Sequence, residues 1–262
     1  MDPLHTVVVE KDTTYMLMKE AQRRGMNVAY VSQANIHLLE GDVHMDVTWV
    51  NVLEPCPFPF EEIRKESVSP VSGDIVFIRK DPPFDAHYLH ITWVLEHVRS
   101  GVLVLNNPHG IRTVNEKIWA SQFTSLVPDT LITSSIAKIR SFLDHSSSII
   151  IKPTNGYGGQ SIFLVHQNDI NKSVIFETVT HQETVPVIVQ RYIPEASHGD
   201  KRILLVNGDP LGAILRVHSD SDHRNNFFAG GTAHPTELTS RDHEIIATLK
   251  PYLQELGLFF VF

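Results

Sequence analysis

The stretch from Ile149 to Val165 constrains this chain more than any other. It reads as an apolar strand at Ile149-Ile150-Ile151, then Lys152-Pro153, then the loop Gly156-Tyr157-Gly158-Gly159, then a second strand from Ser161 to Val165. Glycines at such density let a backbone approach phosphate oxygens and turn its N–H groups toward them, and a lysine at the loop entrance adds positive charge. The ordinary alternative is a flexible hairpin with a lysine beside it, because glycine-rich turns between strands are common. No helix is expected after the loop. That excludes the Walker P-loop and the dinucleotide fingerprint, both of which lead from glycines into a helix.

Three further segments bear on the choice. Asn115-Glu116-Lys117 places a lysine on an expected helix, where a solvated charge is the plain reading. Val187-Ile188-Val189 is an apolar strand running into Gln190, Arg191, Tyr192 and Ile193. Such a mixed strand end suits a flat base, held by stacking and backbone hydrogen bonds, although many strands end this way. Gly199-Asp200-Lys201-Arg202 brings an acid and two bases to the start of a strand, where a surface ion-pair cluster is the competing account.

Composition narrows the partners. A chain of 262 residues with 42% hydrophobic and 20% charged residues is that of a globular protein, long enough for two modest domains. A net charge of -8 argues against a phosphate-backbone binder, so nucleic acid is not an expected partner. The single cysteine, Cys56, excludes an internal disulfide and suits a reducing compartment. The 15 histidines are scattered and show no metal-ligand spacing. No apolar run is long enough for a membrane span and no signal pattern opens the chain, so the expectation is cytoplasmic with no membrane partner.

Along the chain, Asp12 to Arg24 predicts a helix closed by Gly25, Asn27 to Val31 a strand, and the apolar runs Ile36 to Leu39 and Val47 to Val52 a hairpin around Gly41-Asp42. The proline-, charge- and serine-rich stretch from Glu54 to Ser72 reads as a surface connection. Ile75 to Ile78 is a continuous apolar run, expected to be a strand buried on both faces and to end at Arg79-Lys80-Asp81-Pro82-Pro83. Charge at the end of such a strand is where open α/β sheets place ligand contacts. A helix over His87 to Val98 and a strand over Val102 to Leu105 complete the unit. From Asn115 the pattern changes to short helices between strands expected to be antiparallel. Asn207-Gly208 is the strongest hairpin signal, and a helix from Arg241 to Leu256 leads to an apolar strand at Leu258 to Phe262.

The order of these phrases resembles the bacterial-type glutathione synthetases of the ATP-grasp superfamily. The resemblance is carried by Glu20 to Gly25, Arg79 to Asp85, Asn115 to Lys117, Lys152-Pro153 with Gly156 to Phe163, Gly199 to Arg202, and Ala229-Gly230-Gly231. It implies an α/β chain with an N-terminal parallel-sheet pre-ATP-grasp domain over 1–114 and an α+β ATP-grasp domain over 115–262. The family's first strand would precede Met1, and its metal-holding acids would lie after Phe262. The ATP-grasp domain is therefore expected to be incomplete, with no metal ligand inside the chain.

The same resemblance implies a ligase that joins γ-glutamyl-cysteine to glycine through an acyl phosphate, using ATP and Mg2+. Lys117 and Lys152 would contact the ATP phosphates, with Gly156, Tyr157, Gly158, Gly159 and Gln160 closing over them. Gln190, Arg191, Tyr192 and Ile193 would hold adenine, and Asp200 would lie near the ribose. Arg202 and Arg216 would be the catalytic arginines. Arg79, Lys80 and Asp81 would bind the dipeptide, and Arg224 and Asn225 would tip a loop over the acyl phosphate at 219–226. Two alternatives stand beside this: a related ATP-grasp ligase for another carboxylate and amine, and an inactive nucleotide-binding fragment. A homo-oligomer is left open.

Overall fold

The computed structural model describes residues 1–10, 12–217 and 232–262. They form two compact units, Met1–Arg112 and Thr113–Phe262.

The first unit opens with α1 (Thr13–Arg23). Its start is fixed by Asp12, whose carboxylate accepts from the N–H groups of Thr14 (2.6 Å) and Tyr15 (3.1 Å). Tyr15 and Met18, one turn apart, bury its apolar side against Val50, Val52 and Phe60. Strands β1 (Val28–Tyr30), β2 (Ile36–Leu39), β3 (Asp42–Val52) and β4 (Phe60–Val68) make one antiparallel sheet. β3 is its spine: β1 and β2 follow one another along one edge, and β4 lies along the other.

β4 corrects the reading of Glu54 to Ser72 as a connection. Pro55, Pro57 and Pro59 all precede the strand, where missing N–H groups cost no ladder bond. β4 is an outer strand and only Phe60, at its start, is buried. It needs no apolar alternation, and its charged residues concealed it.

β5 (Ile75–Phe77) and β6 (Leu103–Leu105) pair in parallel, joined through α2 (Ala86–Leu95). Among the described strands this is where the parallel pairing occurs. The expected two-sided burial does not hold, since Ile75 is 45% and Phe77 37% exposed. α3 (Pro108–Thr113) follows, begun by Asn107, which accepts from the N–H of His109.

In the second unit, β7 (Thr130–Thr133), α4 (Ile136–Asp144), β8 (Ser148–Pro153), β9 (Phe163–His166), α5 (Lys172–Val179) and β10 (Val187–Arg191) form a sheet in the order β7-β10-β8-β9 with two helices. All its pairings are antiparallel, as expected. Ile149, Ile151, Val165, Val187 and Val189 pack on Ile139 and Leu143 of α4 and Phe176 of α5. Each such side chain contributes about 1.5–3 kcal/mol on full burial. Side chains alternate along a strand, so Lys152, and Ile188 paired with it, project from the opposite face, as does Gln190.

A second sheet runs β13-β12-β11-β14, with β11 (Asp200–Val206), β12 (Asp209–Val217), β13 (Thr232–Pro235) and β14 (Phe260–Val261). Asn207-Gly208 makes the two-residue turn between β11 and β12. Asp200 lies opposite Arg216 and Arg202 opposite Ile214, so the acid and both arginines share one face. Lys201 points to the other face, where its ammonium meets Asp242 of α6 (Ser240–Glu255) at 2.6 Å.

Candidate active site

β8 delivers Lys152 to the mouth of the glycine loop. Gly156, Gly158 and Gly159 take φ values of 111°, 69° and 76°, a left-handed run that side-chain-bearing residues resist. Tyr157 and Gln160 are exposed on it. Lys117 lies in a turn rather than on the expected helix, just before a short 3-10 segment at Trp119–Gln122. Asn115 shapes that turn: its side-chain oxygen accepts from the N–H groups of Lys117 (2.9 Å) and Ile118 (2.8 Å). Its amide nitrogen donates to the Thr154 carbonyl at 3.1 Å, which ties the turn to the start of the glycine loop.

The charge of Lys117 is felt at Lys152. The Lys117 ammonium donates to Glu116 and to the Gly156 carbonyl, each at 2.6 Å. Burial, and then the charge of Lys117, hold the Lys152 pKa below its ordinary value. A lysine fastened to a loop with left-handed glycines, and a second lysine that feels its charge, make a site suited to a polyanion.

At the end of β10, Gln190 donates to the Thr130 hydroxyl at 2.9 Å, Arg191 faces Asp129 at 3.4 Å, and the Tyr192 N–H donates to the Ser148 carbonyl at 3.2 Å. Ile193 follows, exposed.

On the second sheet the Arg216 guanidinium grips the Asp200 carboxylate. Its Nε lies 3.1 and 3.2 Å from the two oxygens, and Nη2 donates to Oδ2. Arg216 is only 8% exposed. Arg202 keeps an exposed surface, yet its pKa is lowered, first by the protein packed around its head group and then by repulsion from Arg216. Arg224 and Asn225, the rest of 219–226 and Ala229-Gly230-Gly231 lie outside the described residues.

In the first unit, Arg79 donates to the hydroxyls of Thr14 (3.1 Å) and Thr13 (2.7 Å) in the first turn of α1. The Asp2 carboxylate accepts from the Lys80 ammonium at 2.6 Å and from the Asp81 N–H at 2.8 Å. Asp2, Thr13, Thr14 and Asn115 are supports that sequence reasoning did not single out. Asn115 had a signal, since an asparagine just before a turn is a natural acceptor for backbone N–H groups.

Among the described residues, no three His, Cys, Asp or Glu side chains gather as a ligand set. Nor, among them, is any helix long and apolar enough to cross a membrane.

Solved structures place the fold in a known class. The RimK domain protein ATP-grasp from Sphaerobacter thermophilus superposes with a TM-score of 0.60 at 16% identity, over 97% of this chain and 81% of that one. ATP-grasp ligase PsnB, complexed with a phosphomimetic variant of its minimal precursor, Mg and ADP, gives 0.61 at 14% identity, over 95% and 81%. The fold is that of the ATP-grasp proteins. Family models are more specific: residues 1–112 match the prokaryotic glutathione synthetase N-terminal domain and residues 116–262 the ATP-grasp domain of the same enzymes. The chain belongs to the prokaryotic glutathione synthetase family. It is 38% identical to the glutathione synthetase of Vibrio parahaemolyticus over 264 residues and 36% identical to that of Escherichia coli over 263. Each alignment takes in 100% of this chain and 83% of the relative.

Proposed function

We propose that this chain is an ATP-dependent ligase that joins γ-glutamyl-cysteine and glycine into glutathione, releasing ADP and phosphate. The observation that carries the reading is the lysine pair at the glycine loop, in a chain whose family is that of the prokaryotic glutathione synthetases. Lys117 and Lys152 neutralise the ATP phosphates, and the N–H groups of Gly156 to Gly159 close on them. Gln190 to Ile193 line the adenine. Arg79, Lys80 and Asp81, braced by Thr13, Thr14 and Asp2, hold the dipeptide.

The chemistry needs an activated carboxylate, because a carboxylate oxygen is too poor a leaving group for amide formation. The cysteinyl carboxylate attacks the γ-phosphorus of ATP, the bond to the β-phosphate oxygen breaks, and ADP leaves. Glycine's amine then attacks the acyl phosphate carbon, loses a proton, and phosphate departs with the bonding pair. Such transfer runs on positioning and charge neutralisation. Arg202 and Arg216 supply both, since a guanidinium holds phosphate or carboxylate oxygens in a fixed fork. Magnesium belongs to this proposal as the nucleotide's counter-ion. A reducing cytoplasm suits both the thiol substrate and the free, exposed Cys56.

The test is an assay with ATP, magnesium, γ-glutamyl-cysteine and glycine, following phosphate release and glutathione by mass spectrometry. Equal amounts of the two products, dependent on both amino substrates, are expected. Phosphate release indifferent to those substrates, or glutathione formation untouched by Lys152→Ala, overturns the reading.

A further inference from the structure

We infer that His37 and His44 form a two-histidine site on the β2–β3 hairpin for a divalent metal ion suited to imidazole, of the class of Ni2+, Cu2+ and Zn2+. The inference is independent of the proposed ligase. Strand register sets the two residues directly opposite each other, so both side chains leave the same face, while Val43, Met45 and Val47 point to the buried one. Their rings are stacked, with centroids 5.6 Å apart and planes 13° from parallel. Two imidazoles on one ion, with metal–nitrogen bonds of about 2.0–2.1 Å, have ring centres about 4.5–5 Å apart. A small turn about χ2, a broad torsion in histidine, therefore closes the pair on one ion while the backbone stays in place.

Ser69 prepares the site. Its hydroxyl lies 3.1 Å from Nδ1 of His44. A histidine ligand ordinarily gives its other ring N–H to a neighbouring acceptor, which fixes the tautomer and the ring's orientation. With Nδ1–H donating to the Ser69 oxygen, Nε2 of His44 carries the lone pair that a metal needs. His37 is exposed and His44 half-buried, so an ion reaches both from solvent. Asp42 and Asp46 flank His44 on the same face of β3; Asp42 is held by Arg99, and Asp46 is exposed. Because no third ligand of the described residues joins the pair, the protein supplies two nitrogens and water fills the remaining positions. Such a donor set suits ions that favour imidazole and disfavours magnesium, which takes oxygen ligands.

Calorimetric titration of the whole chain with Ni2+ tests the site, Ni2+ being the probe because the exposed Cys56 thiol competes for softer ions. Binding should weaken in both His37→Ala and His44→Ala by at least about tenfold, the least that loss of an outer-shell partner costs. Excess Mg2+ should leave the wild-type titration unchanged. Undiminished Ni2+ affinity in either variant overturns the inference, and so does displacement of Ni2+ by Mg2+. Should a variant not fold, imidazole NMR of the wild type decides. Paramagnetic Ni2+ should broaden the ring signals of His37 and His44 together and before those of the other histidines. Broadening that begins elsewhere, or at one of the two alone, overturns it. Ligase activity plays no part in either readout, so the site and the proposed function stand or fall separately.

Discussion

The ammonium of Lys117 is hydrogen-bonded to the carbonyl of Gly156, 2.6 Å away and 39 residues along the chain. The lysine proposed to meet phosphate is thus fastened to the loop proposed to cover it. ATP must exchange that carbonyl for phosphate oxygens.

Lys117→Met should therefore loosen the loop as well as weaken nucleotide. Hydrogen exchange at Gly156 to Gln160 is expected to quicken in the free variant and to slow less with ATP than in the wild type. Identical exchange in the two free proteins would show that the contact does not hold the loop.

Lys152→Met should weaken ATP by about 10- to 100-fold, the worth of a charge-assisted hydrogen bond, with little loss of stability. Burial and Lys117 depress the lysine's pKa in the folded protein. Between that lowered value and the ordinary one near 10.4, the unfolded chain binds the extra proton, so this lysine makes stability rise with pH there. Phosphate favours the charged form, so ATP affinity should fall as pH rises through the lowered value. The variant should lack that fall in titrations at increasing pH.

Asp242 links α6 to β11. Burial pushes its pKa up, but hydrogen bonds from Lys201 and from the Thr239 N–H and hydroxyl prevail and hold it below the usual carboxylate range. Its stabilisation is then complete above the unfolded value of about 3.9 and lost as pH falls through the folded one. Asp242→Asn should lower stability at pH 7 by about 1–2 kcal/mol, with the gap from wild type closing in acid. Urea unfolding at pH 7 and pH 3 measures both, and a gap of constant size would remove the ion pair from the account.

Gly199→Ala should cost about 1–3 kcal/mol for the left-handed backbone alone, and more for the collision of an added Cβ with the Arg216 carbonyl oxygen at the start of β11. A urea midpoint equal to the wild type's would mean that the strand entry relaxes freely.

What could be read from the sequence was local. Asn207-Gly208 and the glycine loop announce themselves because turn geometry restricts the residues allowed at each position, and α1 was framed by Asp12 and Gly25. β4 was hidden because an outer strand, exposed over most of its length, needs no alternating pattern. Ile75 and Phe77 misled in the other direction: an apolar run fits a buried strand, yet burial depends on which elements cover it. The Asp200–Arg216 pair, 16 residues apart, depends on strand register, which a list of charges does not contain. Lys117 stood out in the sequence and took its proposed role from the resemblance, but the turn that carries it is made by its neighbour Asn115.

β3 has consequences for the order in which the first unit assembles. Its three partners all pair with this one strand, and two of them, β2 and β4, are its neighbours in sequence. Closing those hairpins spans short loops, which keeps contact order low and formation fast. β1 should then dock on a strand already flanked, and α1, whose Tyr15 and Met18 pack on Val50 and Val52, should follow. The β2-β3-β4 meander is thus the natural folding nucleus of this unit, and substitutions in β3 should slow folding, whereas those in α1 should chiefly speed unfolding.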